Sequence, residues 1–541
     1  MVLFSLLQAE EKPKLVVAIS LDQFPYEYIA EYRKYFVKGG FNYLLDNGAD
    51  FVNCLFLHAA TKTGPGHAVI LSGSYGNVNG IIENVWLDRS SNTELYCVED
   101  RSVSLVGTKS GTGRSPRNFI GATFGDQLKL HTNFQAKVIS VSNKDRAAIL
   151  MGGKLADAAY WSEDSLFVTS TYYRSDLPDW VQSFNRSGWY RSYFGKEWKL
   201  LLPESEYRRI GPDDGVGESD YFGKGTRFPH RVDGGNPEKM TRGYTYALLT
   251  SPFGAEVLEQ FAEEAVKAER LGQRGVTDLL CLGISSTDYV GHAFGPQSWE
   301  AMDMTVRMDR LLAKFLAFLD STVGIANCVL VLTSDHGIAP IPELLTKARP
   351  SIDAGRVTEF QLLSPAAEAL EAQYGALSSD SVWMRLVEGG NIYLEEKALV
   401  EKGLERDRAA RIVQEAISAL PFVAAAFTQS DLSQSAVSGD LAEACRYSYF
   451  PTRSGDVLVV LKPYYFPGDP RYPAGTTHGS PYSYDAHVPL LIAGPGISPG
   501  VYYGRTSPAD IAPTLSVLLG VEFPPRVQGR ILSEAMKDIE N

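Results

Sequence analysis

Three apolar runs in this chain each lead into a carboxylate, and no other feature limits the possible fold as strongly. The runs are KLVVAISLD, LLCLGISSTDYVGH and CVLVLTSDH, which carry Asp22, Asp288 and Asp335. Helical patterns alternate with these strand-like runs, so the sequence predicts an α/β fold with a mostly parallel central sheet covered on both faces. Side chains at the carboxyl ends of such strands meet at one edge of the sheet, where α/β proteins build their active sites.

Histidines accompany two of these carboxylates. His292 follows Asp288 by four positions, which places both on one face of a helical turn, and His336 follows Asp335 directly. Carboxylate and imidazole groups together suit Zn²⁺ or a similar metal. The sequence therefore predicts a metalloenzyme, and the number of available ligands indicates two metal ions.

The strand–helix alternation defines a core of residues 14–345 and 455–541, and it is interrupted twice. Residues 155–240 are rich in Tyr, Trp, Ser, Gly and Pro, which predicts a loop-rich insertion over the sheet. Residues 346–454 combine helical patterns with short strands, which predicts an inserted α+β cap subdomain. The apolar run DVLVVLKP then indicates the return of the core.

Composition narrows the classes of function. The chain has 541 residues, 44% of them hydrophobic, as in ordinary globular proteins. A net charge of −13 argues against non-specific nucleic-acid binding, and the absence of a run of 18 apolar residues argues against a membrane-spanning helix. The opening MVLFSLLQAEEKPK resembles the tail of a signal peptide but lacks a basic region, so export and a frayed terminus both stay open.

The five cysteines do not predict a zinc site, because no C-x-x-C pattern occurs. Cys281 and Cys328 lie in apolar runs and are expected to be buried thiols. Cys54 and Cys97 could form a disulfide if the protein is exported, and the sequence does not decide this.

Thr63 is the candidate nucleophile. It precedes Gly64, Pro65 and Gly66, and the following HAVILSG has helical character. Proline is well placed in a first helical turn, and the free N–H groups at a helix N-terminus favour an anion. A threonine there can also be only a helix cap. The carboxylates predicted to hold metal ions favour the nucleophile.

Four motifs in the same order give the chain a family resemblance. They are KTGPGH, followed by Asn84 in GIIEN, then DYVGHAFGP, SDHG at 334–337 and THG at 477–479. Together they resemble the alkaline phosphatase superfamily, in particular its nucleotide pyrophosphatase/phosphodiesterase branch and its phosphate-irrepressible bacterial alkaline phosphatases. The resemblance spans the whole core and implies an alkaline-phosphatase-like three-layer sandwich.

The resemblance also implies a set of ligands for two Zn²⁺ per chain. One zinc would be held by Asp22, Thr63, Asp335 and His336, and the other by Asp288, His292 and His478. His478 is preferred over His487 because it precedes glycine, as the ligand does in the family. His487 then becomes a supporting or structural residue, and we interpret His67, which lies in the predicted helix, as a packing residue.

Lys144 and Arg146 indicate the class of substrate. They follow the predicted strand 136–142 and would project at the catalytic edge, where a Lys-x-Arg pair resembles the monoesterase branch. With Asn84 and a backbone N–H near Gly64, they would bind the oxygens of a phosphate monoester. Without the other motifs, this pair would be interpreted as a solvated charge cluster.

The resemblance thus implies a metal-dependent hydrolase of small-molecule phosphate monoesters that acts through a phosphothreonine intermediate. It would have a broad substrate range and a periplasmic or secreted location. A nucleotide phosphodiesterase is the main alternative, followed by a phosphonate hydrolase and a catalytically silent phosphate-binding protein. Sulfatases are disfavoured, because their C/S-x-P-x-R motif is absent. The choice between monomer and homodimer stays open.

Overall fold

A ten-stranded sheet forms the centre of the computed structural model, which describes residues 12–109, 111–220, 223, 225–434 and 437–537. The suggested export signal falls mostly on residues 1–11, which lie outside the described residues. Within the described residues, we find no helix that is both long and apolar enough to cross a membrane.

The middle of the sheet is parallel, as the sequence predicts. In spatial order its strands are Gly500–Tyr502, Gly48–Phe51, Leu490–Ala493, Cys328–Thr333, Leu15–Leu21, Asp278–Ile284, Val138–Ser142, Ala158–Glu163, Leu166–Ser170 and Leu105–Val106. The strands from Cys328–Thr333 to Ala158–Glu163 run parallel to one another. Antiparallel pairs flank them on both sides.

Helices cover both faces of the sheet, which confirms the three-layer α/β prediction. Alternate residues of Leu15–Leu21 point into two separate hydrophobic clusters, Leu15, Val17 and Ile19 into one and Val16 and Ala18 into the other. This alternation is the period of two that a strand buried on both faces requires. The first cluster includes the helices Pro252–Glu269 and Trp299–Thr322, and the second includes Thr63–Ser72, Phe124–His131 and Ile511–Leu519.

Further helices lie around the sheet and in the rest of the chain. They are Glu27–Tyr32, Phe41–Asn47, Gly76–Asn79, Asp145–Gly152, Asp179–Arg186, Trp189–Ser192, Glu204–Tyr207, Arg242–Leu249, Ser286–Phe294, Pro342–Ala348, Glu359–Tyr374, Glu396–Lys402, Arg406–Ser418, Gln429–Ser433, Asp440–Ser448 and Ser483–Ala486. Three two-stranded pairs complete the structure: Val85–Asp88 with Thr93–Tyr96, Glu197–Trp198 with His230–Arg231, and Gly355–Val357 with Tyr465–Pro467.

A small α+β unit has its own sheet and core. Its strands, in spatial order, are Met384–Val387, Asn391–Leu394, Val457–Leu461 and Val423–Thr428, and the helices Glu359–Tyr374 and Arg406–Ser418 pack on them. The assignment of DVLVVLKP to the core is wrong, because Val457–Leu461 pairs within this small sheet. An apolar run predicts a buried strand but does not say which sheet it joins. The other predicted domain limits stay predictions.

The range 155–240 also needs a correction. Two strands in it, Ala158–Glu163 and Leu166–Ser170, belong to the large sheet, so the whole range is not a loop-rich insertion. Several aromatic residues beyond them, including Trp189, Trp198 and Tyr207, are buried in the core cluster of the helix Pro252–Glu269. Both strands are short and mostly buried, so neither shows the alternation of apolar and polar residues that identifies a strand in sequence.

Candidate active site

Three adjacent strands deliver the three carboxylates to one edge of the sheet. Asp22 follows Leu15–Leu21, which lies between the strands that precede Asp288 and Asp335. All three side chains belong to buried residues, with Asp22 and Asp335 at 0% exposure and Asp288 at 3%. Buried carboxylates cost free energy unless a positive partner compensates them. This edge therefore requires cations.

Three histidines complete the cluster, and each uses Nδ1 elsewhere. Nδ1 of His292, His336 and His478 lies 2.8, 2.9 and 2.7 Å from the carbonyl oxygens of Thr476, Gly337 and Thr61. A histidine that donates through Nδ1 presents an unprotonated Nε2, which is the tautomer of a metal ligand. These Nε2 atoms lie 3.2 to 3.7 Å from the nearest carboxylate oxygens of Asp22, Asp288 and Asp335.

The donor set fits divalent metal ions. Ligand atoms of Asp22, Asp335 and His336 lie within 4.8 Å of one another, as do those of Asp288, His336 and His478. Asp22 Oδ1 and His336 Nε2 are buried and make no hydrogen bond to the residues that the structure describes. Buried polar atoms are rarely left without a partner, and mixed oxygen and nitrogen donors suit zinc. The site can therefore hold metal ions.

The electrostatics keep two of the histidines neutral. Burial lowers the pKa of His336 to about 4, although Asp335 acts in the opposite direction. Burial also holds the pKa of His478 well below its usual value, and His336 adds to this effect. Neutral imidazole is the form that binds a metal.

Positively charged neighbours favour the ionised form of Asp288. Burial acts to raise the pKa of Asp288, but Lys144 and His292 outweigh it and hold that pKa well below its usual range.

His487 lies outside the cluster. Its two ring nitrogens are each 3.0 Å from a partner, Glu27 and the Val52 carbonyl. The structure thus brings His478, and not His487, to the carboxylates.

Thr63 begins a buried helix at the same edge. The helix Thr63–Ser72 packs so closely that a Cβ on Gly66 would overlap the carbonyl oxygen of Asp335. Thr63 Oγ1 lies 3.5 Å from Lys144 Nζ and 3.3 Å from Arg146 Nη2. A hydroxyl at a helix N-terminus between two cations is well placed to bind and transfer an anion.

Polar partners hold both cations in the site. Lys144 Nζ lies 2.8 Å from Asp22 Oδ2 and 2.6 Å from Asp288 Oδ2. Arg146 Nη1 contacts the Tyr96 hydroxyl at 3.2 Å, and Tyr96 in turn donates to Asp145 at 2.5 Å. These partners fix the direction of both side chains, so the pair is not a solvated charge cluster.

Asn84 approaches from the start of the strand Val85–Asp88. Its Oδ1 accepts a hydrogen bond of 2.8 Å from the backbone N–H of Gly64. The sequence prediction gave the N–H near Gly64 to a phosphoryl oxygen. In the structure that N–H binds Asn84 instead, because the side chain folds back over the helix N-terminus.

Sequence reasoning missed several contacts at this site. Gln23 donates to Asp288 Oδ1 through its side chain at 2.8 Å and to Asp335 Oδ1 through its backbone at 3.1 Å. Its position directly after Asp22 was an available signal. His67 is not only a packing residue, because its Nδ1 lies 3.1 Å from Asp335 Oδ2. Cys54 and Cys97 are both free and buried.

Comparison with known proteins matches this geometry to one family. The family model described as type I phosphodiesterase / nucleotide pyrophosphatase matches residues 16–481. A protein of Myroides odoratus named calcium-transporting ATPase is 35% identical, over 99% of this chain and 97% of its own length. Alkaline phosphatase PhoV of Synechococcus elongatus is also 35% identical, over 98% and 94%.

A solved structure agrees over the whole molecule. The crystal structure of wild-type alkaline phosphatase PafA superposes with a TM-score of 0.89 at 32% identity and covers 97% of this chain and 99% of that one. The PafA sequence of Elizabethkingia meningoseptica is 33% identical, over 98% of this chain and 95% of its own length. The chain therefore belongs to the type I phosphodiesterase / nucleotide pyrophosphatase family, and its relatives of similar length include bacterial alkaline phosphatases.

Proposed function

We propose that this protein is a metal-dependent alkaline phosphatase that hydrolyses phosphate monoesters, with Thr63 as its nucleophile. One observation carries the proposal: two cationic side chains, Lys144 and Arg146, lie within 3.5 Å of the Thr63 hydroxyl oxygen. A monoester dianion presents three non-bridging oxygens, and it needs more positive donors than a diester does. The site offers those donors where phosphorus would be attacked.

Two Zn²⁺ ions are the proposed cofactors. Asp22, Thr63, Asp335 and His336 would hold one, and Asp288, His292 and His478 the other. Metal ions at such a site lower the pKa of a nearby hydroxyl and offset the charge that develops on the attacking and leaving oxygens. The unbonded Asp22 Oδ1 and His336 Nε2 and the shared Nδ1 bonding of the three histidines support this ligand set.

Side chains of the protein supply the nucleophile and bind the phosphoryl group. Thr63 Oγ1 forms a bond to phosphorus while the bond to the ester oxygen breaks, which leaves a phosphothreonine and a free alcohol. Water then attacks the same phosphorus, which regenerates Thr63 and releases inorganic phosphate. Lys144, Arg146 and Asn84 bind the phosphoryl oxygens throughout, and their fixed positions stabilise the charge of the transition state.

The names of the relatives support this reading. PhoV and PafA are named alkaline phosphatases. A second PafA structure is of a variant with one threonine, one asparagine, one lysine and one arginine replaced, at the spacings that separate Thr63 from Asn84 and Lys144 from Arg146 here. The name of the Myroides relative points to ATP, so nucleoside triphosphates belong among the substrates to be assayed.

A nucleotide phosphodiesterase on the same core is the alternative, and the family model bears that name. It would be favoured if Lys144 and Arg146 faced away from the carboxylate cluster. Lys144 instead contacts Asp22 and Asp288, and Arg146 contacts Thr63. A silent phosphate-binding protein fits less well, because the nucleophile and its partners are all present. A phosphonate hydrolase would share the threonine and the two-metal core, and turnover of an aryl phosphonate would distinguish it.

The test is a comparison of kcat/KM for an aryl phosphate monoester and its matched diester, with the metal content measured on the same sample. We expect a clear preference for the monoester and close to two zinc ions per chain. A preference for the diester would support the phosphodiesterase, and no turnover of either would support the silent protein.

The location and the partners follow from the same proposal. We expect a periplasmic or secreted enzyme that acts on small-molecule phosphate monoesters over a broad range. Fractionation of cells that express the complete gene, followed by activity measurement in each fraction, would test the location.

A further inference from the structure

Glu388 connects the small α+β unit to the active site through contacts that the proposed chemistry does not use. It lies in the turn Glu388–Gly390 between the strands Met384–Val387 and Asn391–Leu394. Its Oε1 accepts a hydrogen bond from Asn84 Nδ2 at 3.1 Å, and its Oε2 accepts one from the backbone N–H of Val85 at 3.1 Å. Glu388 thus holds Asn84 and the residue after it at once.

Two partners of opposite kind fix the orientation of the Asn84 amide. The backbone N–H of Gly64 needs an acceptor and takes Oδ1, while the carboxylate of Glu388 needs a donor and takes Nδ2. If the amide were flipped, the N–H of Gly64 would face the donor Nδ2, and the carboxylate of Glu388 would face the acceptor Oδ1. Nδ2 carries two hydrogens, and its second N–H makes no hydrogen bond to the described part of the chain. One N–H of a fixed amide is therefore available to substrate.

The backbone holds Glu388 in place. Gly389 and Gly390 have φ angles of 73° and 76°, which side-chain-bearing residues rarely adopt. A Cβ on Gly389 would overlap the carboxylate of buried Glu83, so the turn lies directly against the core. Lys62 Nζ, 3.8 Å from Glu388 Oε1 and on a side chain only 14% exposed, offsets the negative charge next to an anion-binding site.

We propose that Glu388 is a positioning residue for phosphoryl binding, which orients Asn84 so that the free N–H of its amide meets the phosphoryl group attacked by Thr63. The role rests on the proposed function, since it exists only if Asn84 binds a phosphoryl oxygen. A unit outside the three-layer core thereby contributes to substrate binding, and its docking becomes part of the catalytic geometry.

A double-mutant cycle on the metal-loaded enzyme tests this role. The four proteins are wild type, Glu388→Ala, Asn84→Ala and the double variant, assayed with an aryl phosphate monoester. In the wild-type background, Glu388→Ala should lower kcat/KM about 10- to 100-fold, the size of a lost charged hydrogen bond. In the Asn84→Ala background the same change should have almost no effect, because the residue through which Glu388 acts is gone. Equal losses in both backgrounds would overturn the proposal.

Two further variants separate positioning from structure. Glu388→Gln keeps an acceptor oxygen for Asn84 and should recover part of the lost activity, and no recovery would count against the proposal. Glu401→Ala is the matched control, because Glu401 is an exposed acid of the same unit that binds Ser378 and pairs with Lys402, away from Asn84. It should behave as wild type.

Binding of inorganic phosphate gives a readout that does not depend on turnover. Calorimetry on the metal-loaded proteins should show weaker phosphate binding in Glu388→Ala and unchanged binding in Glu401→Ala, at equal metal content and thermal stability. Unchanged phosphate affinity in Glu388→Ala would overturn the proposal. If the proposed function itself were wrong, wild type would show no monoester hydrolysis, whereas an error in the role of Glu388 would leave wild type active and the cycle additive.

Discussion

At the scale of single residues, Thr63 carries the first prediction. Thr63→Ala should keep the fold and most of the metal while kcat/KM on monoesters falls by at least about 10³-fold, because a nucleophile is removed from a preorganised site. Thr63→Ser, which keeps the hydroxyl, should retain part of the activity. Mass spectrometry of acid-quenched wild type should find phosphate on Thr63, and phosphate on another residue would contradict the assignment.

Lys144 and Arg146 carry the prediction on specificity. Their donors face oxygens that are anionic in a monoester, whereas a diester has one negative charge fewer and an ester group in their place. Lys144→Ala combined with Arg146→Ala should lower kcat/KM on monoesters by roughly 10²–10⁴-fold, since each lost charged hydrogen bond is worth about 1.5–3 kcal/mol. Diester turnover should change much less. Equal losses on both substrates would mean that the pair is structural.

The convergence of the three carboxylates could be predicted from the sequence, whereas contacts between distant elements could not. Asp22, Asp288 and Asp335 follow apolar strands, so their convergence follows from the geometry of a parallel sheet. Glu388 lies about three hundred positions from Asn84, and only the docking of a separate unit brings the two together. His67 looked like a core histidine because its partner, Asp335, lies on another element.

At the scale of elements, the docking of the helix Thr63–Ser72 sets the position of the nucleophile. Gly66→Ala would place a Cβ against the Asp335 carbonyl and push the helix away. We expect a loss of about 1–3 kcal/mol of stability from overpacking and a fall of roughly 10²-fold in kcat/KM from misplacement of Thr63. Gly504→Ala is the control, since no atom lies within 4 Å of its added Cβ. A variant of Gly66 with wild-type rate and melting temperature would exclude this tight docking.

Elements with clear periodicity were predicted almost to the residue. The strand predicted at 136–142 is Val138–Ser142, and the helical character predicted after Gly66 belongs to the helix Thr63–Ser72. The strand Val457–Leu461 was recognised as a strand but given to the wrong sheet, because period and burial are local properties while pairing is set by the whole fold. The pair Ala158–Glu163 and Leu166–Ser170 was missed for lack of a clear apolar face.

At the scale of the whole molecule, buried Glu83 makes the contact between the core and the small unit sensitive to pH. Burial raises its pKa to about 8, with Glu388 adding to the effect. The pKa of Glu83 in the folded protein exceeds its pKa in the unfolded chain. The stability that depends on protonated Glu83 is therefore fully present below about pH 4.5 and is lost as the pH rises to about 8. Glu83→Gln should therefore match wild type near pH 5 and exceed it by about 2–4 kcal/mol at pH 9. Thermal melts of both proteins across this range would measure it, and a constant difference would refute it.

Metal binding is the interaction that should stabilise the whole molecule most, because it compensates three carboxylates buried at one edge of the sheet. Ligands that bind only the folded chain stabilise it by mass action, by about 4 kcal/mol at a free concentration 1,000 times the dissociation constant. Chelation followed by dialysis should therefore abolish activity and lower the melting temperature together, and added zinc should restore both.

Asp288→Asn should lose about one metal ion per chain and keep the other, because Asp22 and Asp335 remain. Full activity in protein shown by elemental analysis to contain no metal would overturn the two-metal site.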